Sequence, residues 1–213
     1  MFNDKFGLTQ AVLEGRKTMT RRIIKCPRTF RGEWVAGFNI HRRHSDKKIV
    51  DWPCMYDADE REFDMGEILP KYELGEVVAI AQNYRDSGYS PDSLDRHPKD
   101  LSVRGLMKDS AGWNNKMFVK SYACKHHIKI TNVKIERLQD ISDEDCLKEG
   151  IIRYTKDETV YKYDLSDGFE MLGWGNMKRN PKDVFACMID KVSGKGVWES
   201  NPFVFAYEFV LVD

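Results

Sequence analysis

A basic segment near the N-terminus, residues 15–22, contains side chains that acyl-transfer and phosphate chemistry use; its sequence is GRKTMTRR. Lys17 can act as a general base only where burial or neighbouring cations lower its pKa towards neutrality, and the arginines of the segment provide such cations. The Thr20 hydroxyl needs an adjacent base before it can attack a carbonyl carbon. A loop that only binds phosphate or solvent uses the same residue types, and the segment alone favours this simpler interpretation.

The residues around this segment predict the elements that must position it. Apolar residues between Phe6 and Leu13 recur at helical spacing, and Gly15 stands where a left-handed residue would end that helix. We therefore expect residues 15–22 to form a polar turn directly after a short helix. Residues 26–70 have no sustained periodicity, so we expect them to form a long irregular insertion with one hairpin.

Two apolar regions in the middle of the chain predict strands. Residues 77–84 (VVAIAQNY) form an apolar run of strand length, and residues 116–138 form a second β region. The apolar residues of the second region change phase between Ile130 and Val133. A strand changes faces only with an extra residue, so we expect a bulge near Thr131-Asn132.

The C-terminal half predicts two helices and a buried strand. Ser142 resembles an N-cap for a short helix over residues 142–149, and Asn180-Pro181 begins a longer helix that Gly194 ends. Residues 203–212 (FVFAYEFVLV) are apolar on nearly both faces, as a central strand would be. Short strands with a few helices between them indicate an α+β fold built round a small barrel or a strongly curved sheet.

The charge of the chain is zero overall but uneven along the sequence. Residues 1–50 carry twelve basic and four acidic side chains, and residues 51–76 carry nine acidic and two basic ones. The zero total excludes a histone-like or polybasic protein. Cations interleaved with aromatic rings are typical of a nucleic-acid surface, and Trp113 in the polar sequence GWNNK is a candidate for stacking on a base. Mutual neutralisation of the two blocks across the fold is the simpler alternative.

The remaining composition limits the location and the cofactors. Five scattered cysteines without a CxxC pair predict free thiols, several of them buried. His41-x-x-His44 and His126-His127 have no cysteine pair to complete a zinc site, so we expect no metal and no cofactor. No apolar run is long enough to span a membrane, and no secretory signal is visible at the start of the sequence. We therefore expect a cytoplasmic protein that does not interact with membranes.

The pattern Gly15-x-Lys17-x-x-Thr20-x-Arg22, preceded by a short helix, resembles the signature of the ASCH domain family. That family belongs to the PUA-like β-barrel folds associated with RNA. Other stretches are similar to the strands and the short helix of the family, and they include residues 74–82, 135–150 and 203–212. Residues 193–209 resemble the larger ASCH proteins of gut bacteria and their phages.

The resemblance implies one PUA-like domain over residues 1–213. Minimal ASCH domains are much shorter than this chain, so residues at about 26–70, 85–120 and 151–195 would be insertions. A monomer is expected. The ligand that the family relationship implies is RNA or a nucleotide-like small molecule, bound in a cleft whose lining includes Lys17, Thr20, Arg22 and Glu149, with Gly15, Arg16, Arg21 and Trp113 as further binding residues.

The resemblance also implies an alternative, enzymatic function. Some small bacterial ASCH proteins hydrolyse N4-acetylcytidine to cytidine and acetate with a lysine, a threonine and a glutamate. Matched by motif, Lys17 would be the base, Thr20 the activated hydroxyl, and Glu149 the proton shuttle or the group that orients Lys17. An ion pair between Lys17 and Glu149 that only ties two helices together is the structural alternative. A ribonuclease in the same cleft and a protein-interaction module that leaves the cleft unused are further hypotheses.

Overall fold

The structure is a computed structural model that describes residues 2, 4–45, 48–89, 114–116, 119–165 and 173–212. Within these ranges the strands are β1 (Met19–Ile23), β2 (Thr29–Phe30), β3 (Glu33–Trp34), β4 (Gly37–Ser45), β5 (Lys48–Tyr56), β6 (Glu62–Glu67), β7 (Val77–Ala79), β8 (His127–Arg137), β9 (Ile151–Thr155), β10 (Tyr161–Leu165) and β11 (Phe203–Leu211). The helices are α1 (Leu8–Leu13), α2 (Tyr84–Ser87), α3 (Asp143–Lys148), α4 (Pro181–Ser193) and α5 (Val197–Ser200). The fold is therefore a mixture of strands and short helices.

The central sheet is antiparallel, has the strand order β1-β11-β8-β7 and curls into a half-barrel. β11 pairs with β1 on one side and β8 on the other, as its almost continuous apolar sequence predicts. The register with β8 shifts where Glu208 faces Asn132 and Phe209 faces Ile130, so Thr131 is the extra residue of a bulge. The predicted bulge is confirmed, and bulges of this kind increase the local twist of a sheet.

Apolar side chains pack on both sides of this sheet. One cluster lies between the sheet and the helices and includes Leu138, Cys146, Phe185 and Val204. The second cluster combines β7, β8 and β11 with α1 and includes Ile130 and Tyr207. The longer helix begins at Pro181 after the Asn180 cap and ends before Gly194, as the sequence predicts. No helix among the described residues has both the length and the apolar character needed to cross a bilayer.

Four expectations for local structure are wrong. The second β region, expected over residues 116–138, begins only at His127, because Ser121–Ala123 form a 3-10 turn before it. Residues 15–22 are not only a polar turn, because Met19–Ile23 form β1 with Met19 and Arg21 buried. Residues 26–70 contain the β2–β3 hairpin and a three-stranded antiparallel sheet, β4-β5-β6, in which the continuous pairing of β4 with β5 compensates for weak apolar periodicity. The strand expected over residues 77–84 stops at Ala79, and Tyr84–Ser87 are helical because the Asn83 side chain caps the Asp86 N–H.

Candidate functional site

The turn between α1 and β1 holds Lys17 against the end of α3. Gly15 has a φ of +72°, which favours glycine and ends α1. The Lys17 N–H donates to the carbonyl of Ala11 at 2.9 Å, and the Thr18 N–H donates to the carbonyl of Lys148 at 2.8 Å. These two hydrogen bonds place the N-terminal motif beside α3, as the sequence analysis expects.

Glu149 reaches the same point from the other side. Ser142 caps α3 by accepting a hydrogen bond from the Asp145 N–H at 3.0 Å, and the helix ends at Lys148. Gly150 then adopts a φ of +104°, which L side chains rarely adopt, and the chain turns into β9. This turn leaves Glu149 buried and directed at Lys17.

The Lys17 ammonium has a complete set of acceptors. Its Nζ donates to the Met19 carbonyl at 2.7 Å, to the Glu149 carbonyl at 2.9 Å and to Glu149 Oε2 at 2.5 Å. Lys17 is only 1% exposed. Since a protonated lysine has three N–H donors and no lone pair, this geometry fits the charged amine and leaves no free position for taking up a proton.

Arg21 joins this pair to a larger network of charges. Its guanidinium contacts Glu149 Oε1 at 3.1 Å, Asp145 Oδ2 at 2.8 Å and Glu136 Oε1 at 2.6 Å. Lys134 bridges Glu136 and Asp145 at 3.0 and 3.2 Å from the more exposed side. Arg21 is therefore used by three carboxylates of the protein, which accounts for its burial.

Burial and charge act in opposite directions on this network. Burial lowers the pKa of Lys17 from its ordinary value, the Glu149 carboxylate raises it, and Arg22 and Arg21 lower it further; the result is a lowered pKa. Burial alone would raise the pKa of Asp145, but Lys134 and Arg21 outweigh it and hold the pKa below the ordinary value. Burial therefore disfavours the charged form of Lys17, whereas the cationic partners of Asp145 favour its ionised form.

A cavity of about 750 Å³ opens beside the pair. β1 directs Thr20 and Arg22 to one face, where they are paired with Tyr207 and Phe205 of β11. The segment after β6 closes another side, because the Lys71 N–H donates to the Tyr207 hydroxyl at 3.0 Å and the rings of Tyr72 and Tyr207 meet edge to face. The lining includes five cationic side chains and one carboxylate; these are Lys17, Arg21, Arg22, Lys25, Lys71 and Glu149.

A small recess of about 20 Å³ adjoins this cavity next to Thr20. Thr20, Arg22, Phe2 and Tyr72 line both spaces. Aliphatic residues of β7, of the two positions after it and of β8 form the rest of the recess. Among the described residues, the Thr20 hydroxyl makes no hydrogen bond to Lys17, whose three donors are used elsewhere. The recess has room for about one small group such as a methyl or a water.

The structure brings together some of the predicted site residues and separates others. Lys17, Thr20, Arg21, Arg22 and Glu149 all line the cavity. Gly15 and Arg16 are not part of its lining, and Arg16 forms an exposed ion pair with Glu14 at 2.5 Å. The expected role of Trp113 lies outside the described residues.

Sequence reasoning missed the residues that other elements bring to the cavity. Lys25 follows β1, Lys71 and Tyr72 follow β6, and Phe2 precedes α1. The Phe2 ring lies 5.9 Å from Lys17 Nζ. The basic character of residues 1–50 was a signal for Lys25, whereas Lys71 stands in the acidic block and no local pattern marks it.

No family model, curated protein or solved structure matches this chain.

Proposed function

We propose that the cavity binds a phosphate-bearing nucleotide or nucleotide unit of RNA. The observation that carries this proposal is the excess of cations in its lining. Among the described residues that line the cavity, Glu149 is the only carboxylate, and it is already paired with Lys17 and Arg21. The described part of the lining therefore carries more cationic than anionic side chains, and Lys25 and Lys71 contribute to this excess. Guanidinium and ammonium groups in such a setting attract phosphate.

Shape and aromatic content support the same ligand class. A volume of about 750 Å³ lies within the range of small-molecule sites. Tyr72 and Phe2 are half-buried rings beside Arg22, so a base could stack while the phosphate meets the cations. The saturated Lys17 ammonium has the role of a fixed positive charge in this proposal, and Glu149 holds it in place.

The test is a calorimetric titration of the wild-type chain with cytidine monophosphate and with cytidine at low salt. We expect the monophosphate to bind more tightly, and the difference to shrink as salt is added. Arg22→Ala should weaken binding of the monophosphate roughly 10- to 100-fold, because charge-assisted hydrogen bonds contribute about 1.5–3 kcal/mol.

Arg61→Ala is the matched control for this titration. Arg61 is 77% exposed in its side chain, pairs only loosely with Asp59 at 3.5 Å and is not part of the cavity lining. It should leave the affinity unchanged. Equal affinity for nucleotide and nucleoside, or equal losses in the two variants, would contradict the proposal.

The proposed function agrees with the ASCH-like pattern of residues 15–22. In that proposal the curled sheet is a PUA-like barrel, and residues at about 26–70, 85–120 and 151–195 are insertions into it. Of these, residues 26–70 border the cavity through Ile68 and Leu69, and residues 151–195 border it through α4, which includes Phe185 and Ile189. Insertions would then reshape the ligand cleft of the family, and the specificity of this chain would differ from that of minimal members.

A second candidate is hydrolysis of an acylated nucleoside such as N4-acetylcytidine. Two observations favour it: burial lowers the pKa of Lys17, and the recess beside Thr20 has room for a methyl group. The Thr20 hydroxyl, with neutral Lys17 as the base, would add to the acetyl carbonyl carbon, and the C–N bond would break as the released amine takes up a proton. Water would then hydrolyse the acetyl ester on Thr20, which releases acetate and restores the hydroxyl. Lys17 must first lose its proton, because its ammonium has no lone pair.

Incubation with N4-acetylcytidine between pH 6 and 9 separates the two candidates. Turnover that disappears in Lys17→Ala, Thr20→Ala and Glu149→Ala, with the fold retained, would support the hydrolase. No turnover in the wild-type chain, together with binding of the monophosphate, would leave ligand binding as the function of the cavity.

A further inference from the structure

A histidine, a cysteine and a glutamate meet on one face of the β4-β5-β6 sheet. His41 is paired with Trp52, and Glu62 is paired with Tyr56. Trp52, Cys54 and Tyr56 alternate along β5, so their side chains share a face with those of His41 and Glu62. This juxtaposition is non-local, since the three residues come from three different strands.

An irregularity in β6 brings Glu62 into this position. Cys54 is paired with Glu67, so a regular antiparallel ladder would place Met65 opposite Tyr56, but Glu62 stands there instead. Met65 has a φ of +54° although it is not a glycine, and a Cβ on Gly66 would come within 2.7 Å of Phe63 Cβ. Strain of this kind persists only where the surrounding structure imposes it, and it is found preferentially at functional sites.

The three side chains have the arrangement of metal ligands. His41, Cys54 and Glu62 each offer a ligand atom, and these atoms all lie within 4.8 Å of one another. His41 Nε2 and Glu62 Oε1 are in hydrogen-bond contact, and the His41 ring stacks on Trp52 with 5.9 Å between ring centroids. The stacking restrains the orientation of the imidazole. A modest separation of the His41–Glu62 contact would admit an ion.

Burial differs among the three residues in a way that suits an ion coming from solvent. Cys54 is buried, whereas the side chains of His41 and Glu62 are 38% and 42% exposed. The Cys54 thiol makes a long contact of 3.9 Å to the Met55 carbonyl. The carboxylates of Glu62 and Glu67 act electrostatically on the thiol, so an added cation is attracted to this position.

We propose that His41, Cys54 and Glu62 bind a borderline-soft divalent cation of the Zn²⁺ class. Thiolate, imidazole and carboxylate are the three ligand types of protein zinc sites, whereas Mg²⁺ and Ca²⁺ require oxygen ligands. On binding, Cys54 gives up its thiol proton to solvent and His41 coordinates as the neutral imidazole. Three protein ligands leave a fourth position open on the solvent side. The ion joins β4, β5 and β6 outside the cavity described above.

The test uses Co²⁺ as a spectroscopic substitute for Zn²⁺, added to the reduced full chain. We expect near-ultraviolet charge-transfer absorption from a cobalt–thiolate bond, removed by added Zn²⁺ and not by excess Mg²⁺. Cys54→Ser should abolish this absorption. His41→Ala and Glu62→Gln should lower the Co²⁺ affinity by at least the roughly 10- to 100-fold that loss of an outer-shell partner costs.

Cys187→Ser is the matched control, because Cys187 is an exposed thiol on α4 and could bind cobalt adventitiously. The control should retain the full absorption and affinity. His41 and Glu62 are partly exposed, so their substitutions keep the proposal testable even if Cys54→Ser folds poorly. Absorption that survives in Cys54→Ser, disappears in Cys187→Ser, or is unchanged in both His41→Ala and Glu62→Gln would overturn the proposal, as would its absence from the wild-type chain.

Discussion

Lys17 is a charged residue in an environment that excludes water almost completely. Its three donors are satisfied, but two of its three acceptors belong to one residue, Glu149. A buried ion pair contributes little net stability, whereas removing one partner leaves an uncompensated charge. The pair therefore makes the cavity wall sensitive to single substitutions on either side.

Lys17→Met should lower the free energy of unfolding by about 3–5 kcal/mol, since Glu149 loses its shortest ionic contact. Urea unfolding monitored by circular dichroism measures this change. Lys129→Met, on the exposed side of β8, is the control and should change stability by less than about 1 kcal/mol. Adding Glu149→Leu to Lys17→Met should restore part of the loss, and an additive or larger loss in the double variant would refute the account of this pair.

Asp145 should dominate the response of the network to acid. Its folded-state pKa is lowered, so the unfolded chain binds more protons as the pH falls below the ordinary value of about 3.8. The stability that Asp145 contributes is present above that pH and is lost as the pH falls through the folded-state pKa. Urea midpoints between pH 6 and 2.5 should therefore fall less steeply in Asp145→Asn than in the wild type, while Asp140→Asn, which changes an exposed carboxyl, keeps the wild-type slope.

At the scale of elements, the turn from α3 to β9 sets where Glu149 points. Gly150 has a φ of +104°, and a Cβ there would meet Ala11, Leu8 and Lys17 at ordinary contact distances of 3.5 Å. Backbone strain, and not steric overlap, is therefore the expected cost of a side chain at this position. The turn leads from α3 into β9, which pairs with β10 in a separate two-stranded sheet.

Gly150→Ala should lower the free energy of unfolding by about 1–3 kcal/mol, the cost of a non-glycine residue in a sparsely populated backbone conformation. Gly175→Ala is the matched control, because no heavy atom lies within 4 Å of its Cβ position and its φ is outside the left-handed range. Thermal unfolding of both variants measures the difference. Equal melting temperatures for the two variants would show that the turn does not require glycine.

Elements with a strong local signal were predictable from the sequence. The Asn180 cap, the apolar run of β11 and the phase change that marks the Thr131 bulge each leave a pattern within a few residues. β1 was missed because Arg21 and Arg22 interrupt its apolar pattern, and Arg21 is buried through ion pairs with carboxylates distant in sequence. The β4-β5-β6 sheet was missed because its stability depends on strand pairing more than on an apolar face.

At the scale of the whole molecule, the uneven distribution of charge has two uses. Part of the basic segment 1–50 belongs to the buried network. Lys17 contacts Glu149, and Arg21 contacts the carboxylates of β8 and α3. Another part, Arg22 and Lys25, lines the cavity, where Lys71 of the acidic block joins it. Sequence position alone could not separate these two uses, because both groups lie within residues 17–25, on β1 or directly beside it.

The cavity cations should make binding of single-stranded RNA depend on salt. Each neutralised phosphate contributes about −0.7 to the slope of log affinity against log salt concentration. Lys71→Ala should therefore lower both the affinity and this slope, by about one phosphate contact, in filter-binding or fluorescence titrations. Lys129→Ala is the control, since Lys129 is exposed on β8 and absent from the cavity lining. A slope that does not change in Lys71→Ala would assign RNA binding to another surface.

The most direct test of the central claim is to locate the bound nucleotide by NMR chemical-shift mapping with cytidine monophosphate. We predict that the backbone amides of Thr20, Arg22, Tyr72 and Tyr207 shift and saturate together, because these residues line the same cavity from β1, β11 and the segment after β6. The amide of Arg61, at the exposed turn before β6, should not move. Shifts confined to residues outside the cavity lining, or none at millimolar nucleotide, would contradict the assignment of this cavity as the ligand site.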